Sequence, residues 1–107
     1  MNPKLFNQIV ELVSHFTMMK EEEIFSRSRK KAFVDARYLI IYIARHLDIR
    51  LVYIQRFFSL KGSDVCYGTL FHACHRIEGE MKEDPQVKSL VDQILLQFDS
   101  SKVIINH

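Results

Sequence analysis

The sequence predicts an all-α domain of about five helices, and three observations carry that expectation. Apolar residues recur at helical spacing along the chain. Only three glycines and two prolines are present, too few for an all-β fold rich in tight turns. Helix-start signals precede periodic segments, the clearest being Asp84 followed by Pro85. At 107 residues, 48% hydrophobic and 26% charged, the chain suits one ordered globular domain with a real core.

The first helix spans residues 3–16. Pro3 suits a first turn, and Leu5, Phe6, Ile9, Val10, Leu12 and Val13 form the stripe. Residues 17–28 are a polar junction in which Glu21, Glu22 and Glu23 lead into Ile24 and Phe25, a candidate short helical turn. The second helix covers residues 30–47, with Phe33, Ala36, Ile40, Ile43, Ala44 and Leu47 inward. Asp48-Ile49-Arg50 is a tight connection, and residues 51–58 are a short third helix with Leu51, Ile54, Phe57 and Phe58 inward. Lys61-Gly62-Ser63 is a turn, with Ser63 the expected N-cap of a fourth helix and Asp64 in its first turn. That helix reaches residue 82 on Leu70, Ala73, Cys74, Ile77 and Met81. The fifth covers residues 85–98 on Val87, Leu90, Val91, Ile94 and Leu95. Residues 100–107 read as a tail whose Val103-Ile104-Ile105 is either packed or frayed.

Several classes are disfavoured. Cys66 and Cys74 are too few and too close for a secreted disulfide scaffold, so they read as reduced thiols. The N-terminus lacks the apolar core of a signal peptide, and the most apolar run, Tyr38 to Ala44, is too short to span a bilayer. The expected location is therefore the cytoplasm, with no membrane partner. Cys66, His72, Cys74 and His75 invite a zinc reading, but Cys74 falls on the core stripe and Cys66 lies more than a turn away; no metal is expected. His46, His72 and His75 with Asp35 or Asp64 form no nucleophile arrangement, and no phosphate-binding glycine loop exists, so neither an enzyme nor a cofactor is expected.

Charge is distributed unevenly. Between Ser26 and Lys82 there are eleven basic and five acidic side chains, a net +6, while the flanks are net −4. The run Ser26-Arg27-Ser28-Arg29-Lys30-Lys31 heads the second helix, and Lys30 and Lys31 sit at the unfavourable end of its dipole. A phosphate partner gives that placement a reason. The third and fourth helices have helix-turn-helix spacing, which places Tyr67, Thr69, His72 and Arg76 toward a major groove. Two packed core helices give the same spacing; the basic excess tilts the reading toward DNA. No aromatic-bearing sheet is available for RNA stacking.

The segments Glu23-Ile24-Phe25-Ser26-Arg27-Ser28-Arg29-Lys30-Lys31, Val34-Asp35-Ala36-Arg37 and Tyr42-Ile43-Ala44-Arg45-His46-Leu47 resemble the C-terminal DNA-binding domain of the bacterial replication initiator DnaA. So do Leu70-Phe71-His72-Ala73-Cys74-His75-Arg76-Ile77-Glu78 and Lys82-Glu83-Asp84-Pro85, and the likeness runs over residues 20–96. The resemblance implies a Trp-repressor-like fold whose helix-turn-helix binds duplex DNA. It implies that an arginine of the long helix, here Arg37, reaches the minor groove. The family's recognition helix opens Asp-His-Thr-Thr, where this chain has Cys66-Tyr67-Gly68-Thr69, and the preceding turn is longer than the family pattern. The initiator's ATPase module is not expected.

The reading so built divides the chain into an N-terminal helix and junction (1–19), a DnaA-like domain (20–98) and a tail (99–107). It expects a non-enzymatic binder of double-stranded DNA: a phage or mobile-element regulator of transcription, or a replication accessory factor. Ser28, Arg29, Lys30 and Arg37 position the backbone, while Lys61, Tyr67, Thr69, His72 and Arg76 face the groove. The first helix either packs on the core or forms a homodimer. The alternative is an interaction module for a host replication or transcription protein that has lost sequence-specific DNA binding.

Overall fold

A computed structural model describes the backbone of residues 3–106 and the side chains of residues 3–98. These residues form helices α1 (Pro3–Thr17), α2 (Glu21–Ile24), α3 (Lys31–His46), α4 (Leu51–Leu60), α5 (Tyr67–Glu83) and α6 (Pro85–Asn106), with no strand among them. The fold is all-α, as expected, and the Glu-rich junction supplies the sixth, shortest helix.

α3 is the hub and packs against each of the other five helices. This explains why its stripe is wider than sequence periodicity suggested. Leu39 and Ile41 are buried beside Ala36, Ile40, Ile43 and Ala44, because a helix covered on several sides needs apolar residues on several sides. α1 contributes Phe6, Ile9, Val10 and Val13 to the same core. Its Phe6 ring stacks on Phe57 at 4.1 Å, and Phe58 meets Phe25 edge-on at 5.2 Å. The rings thus lock α1, α2 and α4 together, the edge-on pair adding roughly 0.5–1.5 kcal/mol beyond area burial. The first helix therefore packs on the core, and Asn7, Gln8, Glu11 and His15 are left outward. Its apolar stripe is not available to a dimer.

Three helices end in the same hydrogen-bonded turn, with a residue just past the helix in the left-handed region: Met18 (φ 58°), Asp48 (φ 66°) and Gly62 (φ 84°). In each case the next residue's N–H reaches back five residues: Met19 to Ser14 O, Ile49 to Ala44 O and Ser63 to Phe58 O. These caps make the short connections possible. They also move one boundary. Ser63 belongs to the cap of α4 and does not start the next helix; α5 begins at Tyr67 with Cys66 as N-cap, and Asp64 lies in the connection. Gln55 Nε2 donates to Val65 O at 2.9 Å and holds that connection to α4. Asp84 caps α6 through Oδ1, which accepts the Gln86 N–H at 2.9 Å ahead of Pro85, as the sequence suggested. The helix continues past residue 98 to Asn106. The packing of Val103, Ile104 and Ile105 lies outside the described side chains.

Candidate nucleic-acid interface

The basic run forms the loop between α2 and α3, and the loop is a folded object. Ser26 Oγ donates to Glu23 O at 2.7 Å, and the Lys30 N–H donates to Ser28 Oγ at 3.1 Å, so both serines close turns on the backbone. Arg37, one turn and a half into α3, reaches back under the loop. Its Nη1 donates to Ile24 O (2.7 Å) and Ser26 O (3.0 Å), and its Nη2 to Ser28 O (2.8 Å). A planar guanidinium can fork across three carbonyls in this way; an ammonium cannot. Burial pulls the Arg37 guanidinium down from its ordinary value, with nearby Tyr38 acting in the opposite direction.

With the carbonyls held inward, Arg27 and Arg29 project from the loop and are exposed. Both line a groove of about 510 Å³ whose opposite rim is the connection Gly62 to Cys66 and the first turn of α5 at Thr69. On that rim Cys66 caps α5 with its backbone only, since its side chain makes no cap hydrogen bond. Its sulfur instead lies 3.3 Å from Thr69 Oγ1. That contact draws the Cys66 thiol below its ordinary value, whereas burial, followed by Glu78, raises that of Cys74.

The nine residues expected at the interface fall into two groups. Ser28, Arg29 and Lys30 lie on the exposed loop, Lys30 with its ammonium 5.3 Å from the Phe33 ring centroid. Tyr67 and His72 are exposed on α5, and Thr69 faces the groove. The other three are engaged within the protein. Arg37 holds the loop. Lys61 pairs with Glu21 at 2.8 Å and borders a different depression, beside α1. Arg76 pairs with Asp35 at 2.8 Å and Glu80 at 3.2 Å and lies over the Tyr38 ring, tying α5 to α3. Two residues not chosen from sequence matter here. Arg27 shares the groove with Arg29, and membership of the basic run was its signal. Tyr38 supports the α5 flank, its ring edge-on to His72 at 5.7 Å; nothing in the sequence separated it from an ordinary core aromatic.

Among the described residues, no group of three or more His, Cys, Asp or Glu side chains is placed to hold a metal ion, and no helix is long and apolar enough to cross a membrane.

The family described as bacterial DnaA protein helix-turn-helix matches residues 6–77. The match begins inside α1 and runs through the loop, the α4–α5 connection and most of α5. Among curated proteins, the chromosomal replication initiator protein DnaA of Aquifex aeolicus (strain VF5) is 35% identical over 85 residues, 78% of this chain and 20% of that protein. The protein of the same name from Thermodesulfovibrio yellowstonii is 30% identical over 94 residues, 87% of this chain and 20% of that one. That of Lachnoclostridium phytofermentans is 25% identical over 92 residues, covering 85% and 19%. The chain thus spans about a fifth of the length of these relatives. With α2, α3, α4, the basic loop, the capped turn and most of α1 and α5 inside the matched region, the chain belongs to the bacterial DnaA helix-turn-helix family.

Proposed function

We propose that this protein binds double-stranded DNA as a DnaA-type helix-turn-helix domain, in the service of replication or of transcription control. The observation that carries the reading is the groove, with unpaired Arg27 and Arg29 on one rim and the start of α5 on the other. The loop grips phosphates on one side while α5 enters the major groove with its N-terminal end. Arg29, Arg27 and Lys30 supply the charge; Ser28 and Arg37 hold the loop in shape. Tyr67, Thr69 and His72 face the bases, and Lys61 and Arg76 act within the fold. A homodimer or a host replication or transcription partner needs a surface other than the inward stripe of α1.

A second reading, an interaction module that no longer binds DNA, draws on the replaced Cys66–Thr69 segment and on exposed Met18 and Leu60. Titration of the protein into a random-sequence duplex pool at low and raised salt separates the two. The DNA reading expects binding that weakens steeply with salt, followed by enrichment of a sequence on selection. Absence of duplex binding at low salt leaves the second reading.

A further inference from the structure

On the assumption that α5 enters the major groove, we infer that its readout is largely apolar: Tyr67 and Phe71 recognise the C5-methyl groups of thymine. Three observations support this. Tyr67 and Phe71 are 44% and 56% exposed, four residues apart on α5, so one ring follows the other along one flank of the helix. About half of each residue's surface is therefore open to solvent. Gly68 lies between them in sequence, and a Cβ there would meet only Cys66 Sγ at 3.8 Å, ordinary contact. Nothing within the fold therefore requires glycine at that place. Its effect is to remove a side chain from the first turn of α5 and let the helix backbone approach a partner closely.

The polar groups remaining on this end of α5 are few. Cys66 and Thr69 engage each other, and Arg76 is held by Asp35 and Glu80. The forked donors and amide side chains that read guanine or adenine edges are absent from the exposed positions 67, 68, 71, 72 and 75. Beside the imidazoles of His72 and His75, what the surface offers is two large rings, and the apolar feature that a base pair presents in the major groove is the thymine methyl. The positive loop across the groove matches a polyanion rather than an apolar protein surface, which favours duplex DNA as the occupant.

The test uses the full chain and the duplex recovered by selection from a random pool. That duplex is resynthesised with uracil in place of thymine at one position at a time, which removes only the methyl group. The inference expects some positions at which affinity falls about fourfold per methyl, the loss that burial of one such group implies. It expects this discrimination to vanish in Phe71→Ala or Tyr67→Ala, each compared with the wild type at a temperature where its helical content is intact. Equal binding of thymine and uracil duplexes, with salt-dependent binding intact, overturns the inference and leaves the DNA reading standing. Discrimination that survives both substitutions overturns it as well. Failure to bind any duplex overturns both.

Discussion

The two rims of the groove are built in opposite ways. The α2–α3 loop is heavily braced: two serine turns and three guanidinium hydrogen bonds fix its backbone, so the chain that carries Arg27 and Arg29 needs no ordering when a ligand arrives. The start of α5 is lightly built, with a cap that lacks a side-chain hydrogen bond and a glycine in its first turn. In the proposed DNA-binding role, a preformed charged rim serves affinity and a thinly stabilised α5 start serves sequence choice. Contacts to phosphate tolerate change elsewhere, whereas the reading end sets which bases are acceptable.

Phe58 joins the two rims, and its substitution gives the largest expected effect. Its ring packs on Phe25 just ahead of the loop, and its carbonyl accepts the Ser63 N–H that caps α4. Phe58→Ala removes a fully buried ring and should cost about 3–5 kcal/mol, read as loss of most of the denaturation midpoint in urea. Unchanged stability would show that the rims are not joined through this residue.

Next comes the brace. Arg37→Ala leaves the carbonyls of Ile24, Ser26 and Ser28 without their shared donor, and a loss of about 2 kcal/mol, roughly 10 °C in melting temperature, is expected. Arg37→Lys should recover only part of it, because a single ammonium nitrogen cannot stand in both places that Nη1 and Nη2 occupy. Full rescue by lysine would mean that charge alone matters there.

Two glycines separate the rims more finely. Gly62 sits at φ 84°, where a Cβ is strained, so Gly62→Ala should lower stability by about 1 kcal/mol. Gly68 lies in helix, where a Cβ would make only an ordinary contact with Cys66 Sγ, so Gly68→Ala should raise stability by about 0.5–1 kcal/mol while weakening duplex binding. Paired thermal melts check both signs.

The smallest effect is chemical. Thr69 draws the Cys66 thiol down and burial raises that of Cys74, so at mildly alkaline pH Cys66 carries more thiolate and should alkylate first. Thr69→Val should slow Cys66 and leave Cys74 unchanged, as followed by mass spectrometry.

Much of the fold could be read from the residues because it is periodic. The stripes of α1, α4 and α6 and the Asp84-Pro85 start are local signals, and the structure keeps them. The start of α5 was misplaced because Ser63 carries the chemistry of an N-cap, yet its N–H is captured by Phe58 O once Gly62 turns left-handed. The site was half legible. A run of arginines announces affinity for phosphate, but sequence cannot show which cations are already taken. Arg37, Lys61 and Arg76 each find partners 13, 40 and 41 residues away in the chain, distances that only tertiary packing closes.

That distinction between engaged and unengaged cations is also the most direct thing to measure. Duplex affinity is determined across a salt series for the wild type, for the double variant Arg27→Ala/Arg29→Ala and for Lys61→Ala/Arg76→Ala, each checked for helical content. The slope of log affinity against log salt should become shallower by about two in the first double variant and stay at the wild-type value in the second. A slope unchanged by loss of Arg27 and Arg29, or flattened by loss of Lys61 and Arg76, would contradict the assignment of the braced loop as the DNA grip.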